Sequence, residues 1–77
     1  MQEDLGKEII VDDFTTENEI IGKYAYNKTH NFGGIVTDVD ERSITLEESF
    51  HPTRTGNSIY DSIVINGFKV YELCKNS

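Results

Sequence analysis

Residues 63–73 read IVINGFKVYEL. A β-branched run meets Asn66-Gly67, and a second apolar run follows at once. Both turn residues tolerate a positive φ, so Asn-Gly between two such runs is the strongest short-range hairpin signal. The stretch predicts a strand ending at Ile65, a two-residue turn, and a strand over 68–73 with Phe68 and Val70 facing opposite to Tyr71 and Leu73. Extending the first strand back to Ile59 gives IYDSIVI, with Ile63 and Ile65 on one face and Val64 on the other.

Three more strands are legible upstream. In KYAYNK (23–28), Tyr24 and Tyr26 alternate with Ala25. GGIVTDVD (33–40) sets Ile35, Thr37 and Val39 against Val36 and Asp38. SITLEE (43–48) turns Ile44 and Leu46 inward and Thr45 and Glu47 outward. Short turns join them, THN after the first and DER after the second. SFHPTRTGNS (49–58), which holds the only proline, reads as a loop. Five short consecutive antiparallel strands predict an all-β domain: a small, strongly bent five-stranded antiparallel barrel of the SH3-like kind, residues 21–77, after an N-terminal extension over 1–20. Within that extension KEIIVDD offers a further strand. TTENEIIG carries a capping pattern, Thr16 with Glu19 three residues on, that predicts a short helix over 16–21.

The bulk numbers narrow the function. With 77 residues the chain is one domain, and one this short buries only roughly 60–65% of its unfolded surface, so association is a natural source of further burial. Fourteen acidic residues against seven basic ones give a net charge of −7, which argues against general nucleic-acid or membrane binding. There is no apolar run of transmembrane length and no basic-then-apolar leader pattern, and Cys74 is the only cysteine. Together these predict a cytoplasmic protein without a disulfide, with Cys74 a packing residue. His30 and His51 stand apart in the sequence, and no nucleophile motif, phosphate loop or spaced acid pair occurs. DVDE (38–41) starts like a calcium loop, but Ser43 stands where that loop needs Gly and Ser49 where it needs Glu. The expectation is a non-enzyme without a metal or cofactor.

The order of elements resembles the Sm-like (LSm) family, as a divergent member. IGKYAYNK resembles that family's opening strand, FGGIVTDVDE its first motif with Gly34 and Asp40, ITLEE the following strand, and IVINGFKVYEL its second motif. The resemblance covers residues 21–73. It implies a cyclic homo-oligomer of about five to seven copies, closed by pairing the fourth barrel strand of one subunit with the fifth of the next. The interface would then comprise Ile63, Val64, Ile65, Val70, Tyr71 and Leu73. It further implies that short single-stranded RNA is bound at two turns, by Asp40, Arg42 and Ser43 at one and by Asn66, Gly67 and Lys69 at the other. The chain departs from the family at both turns: DERSI lacks the usual Asn, and Asn66 replaces the usual Arg. A protein–protein assembly module of the same fold, without nucleic acid, is the alternative. For each residue an ordinary structural role competes: turn chemistry at Asn66-Gly67, a solvated turn at 40–43, outward lysines at Lys28 and Lys69, and core packing for Tyr24, Tyr26, Phe32, Phe50, Tyr60, Phe68 and Tyr71.

Overall fold

The computed structural model describes residues 5–47 and 49–73. Six strands form one antiparallel sheet: β1 (Leu5–Ile9), β2 (Tyr24–Asn27), β3 (Phe32–Val39), β4 (Ser43–Leu46), β5 (Ser49–Pro52) and β6 (Phe68–Leu73). A 3-10 turn spans Glu17–Glu19, and a short helix, α1, spans Ile59–Val64. The spatial order is β1-β6-β2-β3-β4-β5. The fold is therefore mostly antiparallel β with one short helix, as expected in class. It differs from the expected closed five-stranded barrel: the sheet has six strands and stays open, with β1 and β5 at its edges.

β3 makes the bend. Its first half, Phe32–Ile35, pairs with β2, and its second half, Val36–Val39, pairs with β4. The register slips between Val36 and Asp38. That irregularity places Val36 and Val39, three residues apart, both in the core, whereas strict alternation would set them on opposite faces. The core also holds Ile20, Ala25, Ile44, Leu46, Ile63, Phe68 and Val70.

The decisive difference lies at 59–65. The expected strand is helix α1, and the expected hairpin turn is the helix's C-terminal stop. Ser58 caps the helix, its hydroxyl accepting the Asp61 amide N–H at 3.2 Å. The Asp61 carboxylate in turn accepts the Asn57 amide N–H at 3.0 Å. At the far end Gly67 has φ +85° and donates its N–H to the Val64 carbonyl at 3.0 Å. A left-handed glycine just past the last turn is a standard helix terminator, so one feature of Asn66-Gly67 serves either reading. Burial separates the two. A strand would send Ile63 and Ile65 the same way; Ile63 is 1% exposed and Ile65 50%.

The remaining expectations divide. The 49–58 loop contains β5, which pairs with β4 through Thr45↔Phe50 and Ile44↔His51. The extra N-terminal strand forms as β1, paired with β6 from Ile9↔Val70 to Leu5↔Leu73 with a slip between Leu5 and Glu8. The capping pattern at 16–19 works as read: the Glu19 carboxylate accepts the Thr16 amide N–H at 3.1 Å, though the helical piece is a single 3-10 turn. With Ile20 fully buried, the segment before β2 is packed into the same core. Cys74 lies outside the described residues.

Candidate functional site

The turn at 40–43 is a packed junction. The Asp40 carboxylate accepts the Arg42 amide N–H at 2.8 Å and the Ser43 hydroxyl at 3.1 Å. The Arg42 amide first, then Ser43, with the Arg42 charge behind them, hold the Asp40 carboxyl below its ordinary range. The Asp40 carbonyl accepts the buried Ser62 hydroxyl of α1 at 2.6 Å. The Arg42 carbonyl accepts the Thr53 amide at 2.6 Å. Gly56 lies so close over the Glu41 carbonyl that no side chain fits there. Ser43 is buried, so its hydroxyl closes the turn rather than facing solvent.

Asn66 and Gly67 pack against a different turn. The Asn27 amide group donates to the Asn66 carbonyl at 2.8 Å, and the Asn66 amide group donates to the His51 carbonyl at 3.4 Å. The Gly67 carbonyl accepts the Lys28 amide at 3.3 Å. The two halves of the expected RNA site open into separate cavities. Asp40 and Arg42 share one of about 280 Å³ with Glu17, Glu41 and Ile59, at the start of α1. Gly67 and Lys69 border another, with Lys28, Ile63 and Val64, toward the helix's end. Arg42 also lines a polar cavity of about 440 Å³ with Thr53, Arg54, Thr55, Gly56 and Asn57. Reading 49–58 as a plain loop hid Arg54, whose distance from Arg42 in sequence gives no sign of this meeting.

The expected interface divides in the same way. Ile63 and Val70 are core residues. Val64 and Ile65 are exposed, while Tyr71 and Leu73 are half-buried. β6 lies between β1 and β2, so with β1 in place it offers no free edge for ring closure through residues 70–73. Residues 59–65, being helical, offer none either. The aromatic residues mostly pack: Phe32 meets Phe68 edge-on at 5.8 Å and lies 5.1 Å from the His51 ring. Phe50, on edge strand β5, points into solvent at 65% exposure, and Phe14, ahead of the 3-10 turn, does so at 87%.

His51 gives the fold a pH dependence. Its ring packs against Phe32 and Phe68, and its buried Nε2 has no hydrogen-bond partner among the described residues. Burial lowers its pKa from the ordinary 6.5, because an imidazolium there would lose its hydration. Below pH 6.5 the unfolded chain therefore binds more protons than the folded one, and stability falls as the pH drops from 6.5 to the folded pKa. Asp40 acts in a lower window, its contribution lost as the pH falls from 3.8 through its lowered pKa. The urea midpoint should drop between about pH 7.5 and pH 5.5, and His51→Phe should flatten that drop.

Among the described residues no three His, Cys, Asp or Glu side chains form a group able to hold a metal, and no helix is long and apolar enough to cross a membrane. Comparison of the chain with family models, with curated proteins and with solved structures finds no match.

Proposed function

We propose that this chain is a non-catalytic assembly module that associates with a second copy of itself through an apolar patch on β5 and the end of α1. The observation that carries the reading is the exposure of Phe50, at 65%, and Ile65, at 50%. The Asn66–His51 hydrogen bond joins their chain neighbours, which brings β5 alongside the end of α1. A small chain with few fully buried apolar side chains gains more from covering such a patch than a larger domain would. β2 to β5 form a meander, and β6 returns beside β2. Phe50→Asp with Ile65→Asp should convert an oligomer into a monomer in light scattering while leaving the circular dichroism unchanged. A wild-type monomer at micromolar concentration, or an unchanged mass in the variant, rejects the patch.

Binding of single-stranded RNA is the second reading, favoured by the meeting of Arg42 and Arg54 in one polar cavity. Two phosphate contacts would give a log–log salt slope of only about 1.4, at roughly 0.7 per contact. Fluorescence anisotropy with oligo-uridine at low salt tests it. Binding that is lost in Arg42→Ala with Arg54→Ala supports this reading, and no binding at ~100 μM protein rejects it.

A further inference from the structure

Between β1 and α1 runs a groove of about 360 Å³, within the roughly 300–1,000 Å³ range of ligand sites. Ile63, Phe68 and Val70 form its apolar base, and Ile9, Val11 and Val64 line its sides. The groove exists because β1 stops short: its last pair is Ile9↔Val70, and residues Ile10 and Val11 then leave the sheet. The edge of β6 beyond Val70 is thereby left open. The Gly67 carbonyl points toward β2, where it accepts the Lys28 amide. Backbone groups alternate in direction along a strand, so the Phe68 amide and carbonyl point the other way, into the groove, where no strand pairs them among the described residues.

Charge gives the groove a direction. Lys28, beside Gly67, and Lys69 border it, two of the chain's seven basic residues in a molecule of net charge −7. Neither forms an ion pair among the described residues. Glu8, level with Tyr71 by register, borders the opposite end. An apolar floor, an unpaired strand edge and an ammonium at one end match a particular occupant. We propose that the groove takes the C-terminal end of a partner polypeptide, an extended segment ending in an apolar residue whose free carboxylate sits beside Lys28. Such a segment runs in the direction of β1, antiparallel to β6, and takes up the Phe68 edge where β1 leaves it. This goes beyond the association reading: it names a different partner and uses a surface distinct from the Phe50–Ile65 patch.

The test uses fluorescein-labelled hexapeptides ending in Val, Leu or Phe, each with a free carboxylate or a C-terminal amide, titrated with the full chain. At least one free acid should bind saturably, and its amide about tenfold more weakly, because a charge-assisted contact to the carboxylate is lost. Lys28→Glu, at an exposed position, should weaken the acid by a similar factor without affecting the fold. Val64→Asp should abolish binding; Val64 is 44% exposed, so the circular dichroism should persist. Equal affinity for acid and amide, indifference to Val64→Asp, or no binding up to about 1 mM overturns the proposal. Displacement of the peptide by oligo-uridine also overturns it, placing Lys28 in a nucleic-acid site. Light scattering on the same samples separates the two claims, since an oligomer that ignores every peptide loses the groove and keeps the patch.

Discussion

Ile63→Ala should remove most of the chain's stability at room temperature, while Ile65→Ala changes stability by less than about 0.5 kcal/mol. Ile63 sits in the core at 1% exposure, on the face of α1 that packs against the sheet. Removing its three outer carbons costs about 2–5 kcal/mol in transfer and cavity terms. A domain this small has a total stability at or below the low end of about 5–15 kcal/mol, so that loss takes most of it. Ile65 is only two residues away yet half exposed, and its side chain is already in water. Urea titration followed by circular dichroism measures both. Equal losses at the two positions would return them to one face of a strand.

The second large effect belongs to Asn27. It is 3% exposed, and its side chain ties together two segments far apart in sequence. Its amide group donates to the Asn66 carbonyl at 2.8 Å, and its carbonyl oxygen accepts the His30 amide at 2.9 Å. Asn27→Ala removes both bonds and leaves two partly buried backbone groups to find water, at a cost of about 2–3 kcal/mol. Asn27→Asp keeps the acceptor but loses the donor and buries a charge, so it should not rescue. Amide exchange should quicken at His30 in either variant. A loss below about 1 kcal/mol would show that the link between the 28–31 turn and the end of α1 contributes little.

Where the apolar period was clean, the sequence announced the structure. Tyr24–Asn27, Phe32–Val39, Ser43–Leu46 and Phe68–Leu73 are strands where alternation placed them, and Thr16 with Glu19 gave the start of the 3-10 turn. Residues 59–65 misled because a short β-branched run has no period of its own, and Asn-Gly ends helices as well as hairpins. The discriminating signal was present one step earlier. Ser58 followed by Asp61 is an N-cap pattern, and Ile59 with Ile63 is a helical i, i+4 pair. β5 was hidden by its proline, which the chain tolerates because it stands at the end of an edge strand. The slip in β3 was not legible either, since it depends on which partner strand each half of β3 meets.

The candidate site was less legible than the fold. Asp40, Arg42 and Ser43 do form one turn, but its polar groups are spent on each other, on Ser62 and on Thr53. Gly67 and Lys69 do border a cavity, but a mainly apolar one shared with β1 and α1. Both outcomes follow from the change at 59–65: a helix there covers the core, buries Ile63, exposes Ile65 and creates the wall of the groove. A strand would have left none of these in place.

The most direct measurement is therefore the backbone Cα secondary chemical shifts of residues 59–65 in the intact chain. The structure requires positive values across Ile59–Val64, followed by the extended values of β6 from Phe68 onward. Negative values across 59–65 would restore the hairpin, and with it a free strand in place of both the patch and the groove.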